Sequence, residues 1–120
     1  MQKKTVVLGA SLNEERYSNM AVKKLVANNH PVTAIGNKEG IINETKIIKN
    51  NPFLADVDTI TLYLNPDNQK PYYNYILSLN PKRIIFNPGT ENTQLEKLAA
   101  EKGIKTMEAC TLVLLSTNQY

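Results

Sequence analysis

The chain has 120 residues, of which 42% are hydrophobic and 21% are charged, so its composition is that of a folded protein and not of a disordered one. This length suffices for one domain with a hydrophobic core, and we expect a single domain over residues 1–120. The net charge of +3, without a cluster of basic residues, gives no argument for nucleic acid binding and suits an anionic small ligand.

The first predicted element is a strand that leads into a helix. Thr5–Leu8 is a β-branched, apolar run typical of a strand covered on both faces, and Gly9 ends it. Ser18 and Asn19 offer side-chain oxygens just before an apolar-periodic run, so we expect a cap there and a helix over residues 19–29. A helix N-terminus after a glycine turn is a natural anion site, because its first N–H groups are unpaired. The pattern therefore predicts a phosphate-bearing ligand on this loop.

Strands and helices alternate along the rest of the chain. Further strands and a final apolar segment are predicted over residues 32–35, 59–64, 83–86, 104–107 and 111–115. Residues 41–51 could form two short extended pieces around a turn. A helix starts at Asn65-Pro66 or at Pro71, and Thr90 can cap the next one. This order predicts an α/β fold of three layers, in which a parallel sheet of about five strands carries helices on both faces.

Four loops are predicted to meet at one edge of this sheet. Ligands of such sheets bind outside the C-terminal strand ends, where the strand order reverses. The loops over residues 9–18, 36–40, 65–66 and 87–92 would meet there, and they carry most of the glycines and several asparagines. This arrangement favours a binding site, although any α/β domain also needs turn residues at these positions.

The first loop lacks the glycine fingerprint of standard NAD sites. Only Gly9 matches it, whereas Ser11 and Glu14 occupy the positions of the second and third glycines. The second strand is not followed directly by the acidic residue that binds the NAD ribose, and a lysine, Lys38, lies there instead. Lys38 and Arg16 would suit a phosphorylated ribose, as in coenzyme A or NADP, or each could equally be a solvated loop charge.

Five segments carry a family resemblance, and they cover nearly the whole chain in order: VVLGAS, ERYSNMAVKKL, VTAIGNKEG, IIFNPGTEN and EACTLVLL. Through them the chain resembles the small, stand-alone CoA-binding domains with a Rossmann-like fold, which are related to the CoA-binding domain of succinyl-CoA synthetase. Many relatives have valine-asparagine-proline after the second strand, where this chain has residues 36–38 (GNK). Many also have tryptophan-leucine-glutamine before the fourth-loop glycine, where this chain has residues 85–89 (IFNPG).

The resemblance implies that the chain binds coenzyme A or an acyl-coenzyme A. The pyrophosphate would lie close to Gly9, Ala10 and Ser11, and phosphate at the first helix would contact Arg16 and Ser18. The adenosine ribose and its 3′-phosphate would lie near Asn37 and Lys38, and the adenine near Asn65 and Pro66. The far side, toward the pantetheine arm, would be lined by Asn87, Gly89 and Asn92. Tyr63 would lie near this edge, with core packing as its expected role.

We expect a binding protein without catalytic residues or a metal. His30, the one histidine, precedes a proline at the edge opposite the predicted site, and one histidine with one cysteine gives no set of metal ligands. Glu14 and Glu15 form a charged pair in a loop without a partner at catalytic spacing. Glu91 would favour a helix N-terminus.

The single cysteine, Cys110, excludes an internal disulfide and favours a reducing compartment. At a helix N-terminus its thiolate would be stabilised and could form a mixed disulfide with coenzyme A, and a buried, unreactive cysteine is the alternative. The N-terminal apolar run is too short for a signal peptide, and no stretch approaches membrane-spanning length. We therefore expect a cytoplasmic protein that does not bind membranes.

Two other functions stay open at this point. The same loops could bind NADP or NAD in a sensor, or the nucleotide site could have decayed in a protein that serves for interaction alone. Competition between ligands distinguishes the first alternative from coenzyme A binding, and the second predicts that no nucleotide stabilises the fold. A protein partner or a homo-oligomer is compatible with each function.

Overall fold

The computed structural model describes residues 2–120 and contains seven strands and five helices in this part of the chain. The strands are β1 (Thr5–Leu8), β2 (Val32–Ile35), β3 (Gly40–Ile42), β4 (Thr45–Ile48), β5 (Thr59–Leu62), β6 (Arg83–Phe86) and β7 (Lys105–Glu108). The helices are α1 (Tyr17–Ala27), α2 (Pro66–Gln69), α3 (Tyr73–Leu79), α4 (Thr93–Glu101) and α5 (Thr111–Ser116), and a 3-10 turn over Lys70–Tyr72 joins α2 to α3.

All strands lie in one sheet, in the order β3-β4-β2-β1-β5-β6-β7. Every neighbouring pair is parallel except β3 with β4, which form an antiparallel hairpin. The chain moves outward from β1 through β2 and then returns to β5 on the other side of β1. The strand order therefore reverses between β1 and β5, which is where α/β sheets bind their ligands.

Helices cover both faces of the sheet, so the predicted three-layer α/β fold is confirmed. On one face, α1 packs beside α5, and Val22, Leu25 and Leu115 form a cluster with Val7 of β1. On the other face, Ile76 of α3 and Leu95 of α4 pack against inward-facing residues of β1, β5 and β6. The right-handed twist of parallel strands explains why crossovers in opposite directions place their helices on opposite faces.

The sheet has two more strands than the five that we predicted. The additional strands are β3 and β4, within the segment for which the sequence predicted two extended pieces around a turn. Asn43 begins the turn of this hairpin and has a φ of 54°, a left-handed conformation that asparagine tolerates better than most residues. β4 continues the parallel sheet beside β2, so the hairpin widens the sheet on the side of β2.

Two predicted helix caps are wrong. Arg16, not Ser18, is the residue before α1, and Ser18 is buried in the first turn of the helix. Asn92, not Thr90, caps α4 by accepting a hydrogen bond from the Leu95 N–H at 3.1 Å. Several residues near each helix could have served as a cap, and the position where the backbone enters the helical conformation decides between them.

The other predicted boundaries differ little from the structure. Asn65 caps α2 as expected, because its Oδ1 accepts from the Asn68 N–H at 2.9 Å, and Pro66 is the first helical residue. Pro71, the competing start, lies in the 3-10 turn before α3. β5 ends at Leu62, two residues before the predicted end, and this leaves Tyr63 at the start of a loop.

Candidate functional site

A cleft of about 720 Å³ opens at the C-terminal ends of the strands, where the strand order reverses. The loops after β1, β2, β5 and β6 form its walls, together with the start of α1 and the α2 segment. Its lining residues are residues 9–13, 16–18, 36–38, 63–65 and 88–90, with Asn68 and Tyr72. The four loops that we predicted to meet at this edge therefore do so.

Nine of the twelve predicted site residues line this cleft: Gly9, Ala10, Ser11, Arg16, Ser18, Asn37, Lys38, Asn65 and Gly89. Pro66, Asn87 and Asn92 lie in the predicted loops but not in the cleft lining. Of the lining residues that our prediction did not include, Leu12, Asn68 and Tyr72 carry no sequence pattern that separates them from ordinary loop residues. Tyr63, for which the sequence predicts a position near this edge and a role in core packing, also lines the cleft.

The loops after β1 and β2 are packed tightly against each other. The N–H groups of Gly9 and Ala10 both donate to the Ile35 carbonyl at 2.9 Å. A Cβ at Gly36 would lie 2.2 Å from the Ala10 carbonyl oxygen, far inside van der Waals contact. Gly9 itself has a φ of 100°, a conformation that favours glycine. These glycines therefore allow two backbones to form the floor of the cleft with no side chain between them.

The N-terminus of α1 faces the cleft without a side-chain cap. Arg16 precedes the helix, and no side chain of the described residues accepts a hydrogen bond from its first N–H groups as a cap. Asn19 holds the preceding loop in place, since its Nδ2 donates to the Ser11 carbonyl at 2.9 Å. An uncapped helix N-terminus offers N–H donors and a favourable dipole to an anion.

One end of the cleft is cationic, and the other is uncharged. Among the described residues, Arg16 and Lys38 are the charged side chains of the lining, and both lie at the end formed by the loops after β1 and β2. Neither forms an ion pair within residues 2–120, whereas the nearby Glu14 pairs with Lys23 at 3.3 Å. The end formed by α2 and the loops after β5 and β6 is lined by amide, hydroxyl and apolar groups.

Asn87 is buried beneath the cleft and joins three elements. Its Nδ2 donates to Thr61 Oγ1 at 2.7 Å and to the Leu62 carbonyl at 2.9 Å, and its Oδ1 accepts from the Thr111 N–H at 2.9 Å. These bonds connect the end of β6 to β5 and to the start of α5. The side chain is 2% exposed, so its bonding capacity is directed into the fold and not toward a ligand.

Asn92 and Pro66 lie outside the cleft lining, at the starts of α4 and α2. Besides capping α4, Asn92 donates through Nδ2 to Gln69 Oε1 at 2.9 Å and to the Tyr73 hydroxyl at 2.8 Å. Pro66 occupies the first position of α2, where its missing N–H costs no hydrogen bond. A contact of the buried Asn92 with a ligand would require the surrounding loops to rearrange.

Tyr63 lines the cleft and also packs against the cluster beneath α1 and α5. Burial raises the pKa of its phenol to about 12, and the nearby hydroxyls of Thr111 and Thr61 only partly offset this rise. Its hydroxyl is buried and has no hydrogen-bond partner of normal geometry among residues 2–120. The phenol therefore stays protonated at neutral pH and does not act as a base.

His30 lies at the opposite edge of the sheet, as expected. Its Nδ1 accepts a hydrogen bond from the Lys3 N–H at 3.0 Å, and its ring centroid lies 4.8 Å from that of Tyr120. Burial and then the neighbouring positive charge of Lys3 lower its pKa. Its role in the structure is to accept a hydrogen bond from the N–H of Lys3, which precedes β1.

Cys110 directly precedes α5 and is half-buried. It is not among the lining residues of the cleft, and its side chain does not cap the helix. No group of three potential metal ligands occurs in the part of the chain that the structure describes. Over the same residues, no helix has the length and apolar character needed to cross a membrane.

Comparison with protein families confirms the resemblance indicated by the sequence motifs. A family model described as a CoA binding domain matches residues 3–116. No curated protein matches the chain significantly.

Solved structures give the same fold. The crystal structure of an uncharacterized protein is 47% identical, covers 100% of this chain and 99% of that chain, and has a TM-score of 0.97. A hypothetical protein from Pyrococcus horikoshii is 21% identical, with coverages of 97% and 83% and a TM-score of 0.86. A protein from Thermus thermophilus is 18% identical, with coverages of 99% and 91% and a TM-score of 0.85. At these two lower identities the likeness concerns the fold alone.

Proposed function

We propose that this chain, which belongs to the family of CoA-binding domains, binds coenzyme A or an acyl-coenzyme A in its cleft and catalyses no reaction by itself. The observation that carries the proposal is the difference between the two ends of the cleft, one cationic and one uncharged. Coenzyme A has the same asymmetry, since its phosphates lie at the nucleotide end and its pantetheine arm is neutral.

The phosphates would bind at the cationic end. The pyrophosphate would lie over Gly9, Ala10 and Ser11, which line the cleft, and against the uncapped N-terminus of α1. Arg16 would contact the same group, because a guanidinium matches two phosphate oxygens. Lys38, after β2, would interact with the 3′-phosphate on the ribose. The absence of any carboxylate among the lining side chains of residues 2–120 supports this placement of negative charge.

The pantetheine arm would follow the uncharged end. Asn68 offers an amide group there and Tyr72 offers an aromatic ring, whereas Asn65 would lie near the adenine, as the resemblance implies. Gly89 leaves the opposite wall open, since no atom lies within 4 Å of the position of a Cβ. Amides of the arm would pair with such groups while its methylenes contact the ring.

A binding role is supported by the kinds of groups in the lining. The cleft offers hydroxyls, amides and two cations, and the Tyr63 phenol is held neutral by burial. Such groups position and neutralise a ligand, whereas nucleophilic catalysis needs a nucleophile next to a base. We therefore expect any reaction of the bound thioester to depend on a partner protein.

Calorimetric titration with coenzyme A, dephospho-coenzyme A, NADP and NAD tests the proposal. We expect saturable binding of coenzyme A and about tenfold weaker binding when the 3′-phosphate is missing. Lys38→Ala should remove this difference between the two ligands. Lys46→Ala, a change at an exposed lysine of β4 outside the cleft, should preserve it. If none of the four ligands binds, the proposal is contradicted, and a protein with an interaction role only is favoured.

A sensor of NADP or NAD is the second candidate function. Lys38 favours it as well, because a lysine after β2 suits a phosphate on either the 2′ or the 3′ position of a ribose. Tighter binding of NADP than of coenzyme A would move the function to this class and leave the fold assignment intact.

A further inference from the structure

Gln69, the last residue of α2, is fully buried behind the uncharged end of the cleft. A buried amide is tolerated only when its polar atoms are paired. Its Nε2 donates to the Leu64 carbonyl at 2.8 Å and to the Thr90 carbonyl at 2.8 Å. Leu64 and Thr90 belong to the loops after β5 and β6, and both line the cleft. One side chain thus joins two loops that form the wall of the cleft.

The orientation of this amide follows from the direction of its hydrogen bonds. The Leu95 N–H can only donate, so the oxygen of the Asn92 side chain must face it, at 3.1 Å. The Asn92 nitrogen then faces Gln69 Oε1, at 2.9 Å. Gln69 must therefore turn its nitrogen toward the two carbonyls, which can only accept. The cap of α4 thereby fixes the orientation of the Gln69 amide, and this amide holds the two loops together.

We propose that Gln69 is a positioning residue that sets the spacing of the loops after β5 and β6, and so fits the uncharged end of the cleft to the neutral arm of the ligand. This inference rests on the proposed function, in which the phosphates bind at the other end. Gln69 does not line the cleft, so it acts through Leu64 and Thr90 and not by direct contact. Its effect is confined to the part of the ligand that lies between these loops.

The variant Gln69→Glu tests the inference, because it keeps the shape of the side chain and removes the two N–H donors, of which a protonated carboxyl could replace only one. Titration with coenzyme A and with adenosine 3′,5′-bisphosphate, which has no pantetheine arm, separates the two ends of the cleft. We expect coenzyme A to bind about tenfold more weakly to the variant. We expect the affinity for the bisphosphate to change by less than about twofold. Gln2→Glu, the same change at an exposed glutamine before β1, is the matched control and should alter neither affinity.

A second variant, Asn92→Asp, keeps the acceptor that caps α4 and removes the donor to Gln69 and to the Tyr73 hydroxyl. It should show the same selective loss for coenzyme A, and it decides the matter if Gln69→Glu does not fold. Equal losses for both ligands, no loss for either, or failure of both variants to fold would overturn the inference. If the wild-type protein binds neither ligand, the proposed function itself fails. If the wild type binds coenzyme A and the variants show no selective loss, only the inference about Gln69 fails, so the two failures are distinguishable.

Discussion

Two sets of predicted site residues, one at each end of the cleft, use their polar atoms in opposite ways. At the end formed by the loops after β1 and β2, Arg16 and Lys38 are exposed and form no ion pair within residues 2–120. At the end formed by the loops after β5 and β6, Asn87 and Asn92 are buried, and every polar atom of their side chains has a protein partner. A polar residue at a strand end can therefore serve a ligand or the fold, and its partners decide which.

The largest effect should come from Asn87→Ala, because this side chain serves the fold. The change leaves the Thr111 N–H and the Leu62 carbonyl unpaired in a buried site, and we expect it to lower the free energy of unfolding by about 3 kcal/mol. Denaturant unfolding measures the loss. The matched control is Asn37→Ala at the exposed end, which should cost less than about 0.5 kcal/mol. Equal costs at the two asparagines would remove the distinction between the ends.

Gly36→Ala should give the next largest effect, because the added Cβ would collide with the Ala10 carbonyl oxygen. The two loops must separate, and we expect a loss of about 2 kcal/mol in the free energy of unfolding together with weaker coenzyme A binding. At Gly40 the added Cβ would meet the side chain of Leu12, which can rotate away, so Gly40→Ala should cost less. A greater cost at Gly40 would show that the floor of the cleft tolerates displacement.

Arg16→Gln should leave the free energy of unfolding nearly unchanged and weaken coenzyme A binding by about tenfold. The exposed guanidinium has no carboxylate partner in the described part of the chain, so the fold loses little when it is removed. Titrations at several salt concentrations should also show a shallower salt dependence than the wild type. Lys46→Gln, outside the cleft, is the control for a general loss of charge. An unchanged salt dependence in Arg16→Gln would argue against phosphate contact.

The smallest effect concerns neither end of the cleft but the opposite edge of the sheet. The pKa of His30 is lower in the folded protein than its usual 6.5, so the unfolded chain binds the proton more readily. The contribution of His30 to stability is therefore fully present above about pH 6.5 and is lost as the pH falls through the lower folded pKa. Thermal unfolding as a function of pH should show a flatter acid limb for His30→Gln, with coenzyme A affinity unchanged. If the acid limb of this variant is the same as that of the wild type, groups other than His30 cause the pH dependence of stability.

Much of the fold could be predicted from the sequence because its signals are local. The apolar run of β1, the glycine that ends it and the alternation of strands and helices each depend on neighbouring residues, and they placed four loops at one edge of the sheet correctly. The positions of Arg16 and Lys38 after β1 and β2 likewise follow from their place in the chain. These local patterns determined the α/β class, the edge that carries the cleft and its cationic end.

The tertiary structure alone decided which polar residues face the cleft. Asn87 finds its partners Thr61 and Thr111 at 26 and 24 positions along the chain, and Gln69 reaches Thr90 at 21 positions. No pattern of neighbouring residues reveals such pairs, because they exist only once β5, β6 and α5 have come together. The direction of a side chain that can bond either to a ligand or to the fold is set by these distant partners. For that reason the family resemblance assigned Asn87 and Asn92 to the ligand, and the sequence did not indicate Gln69.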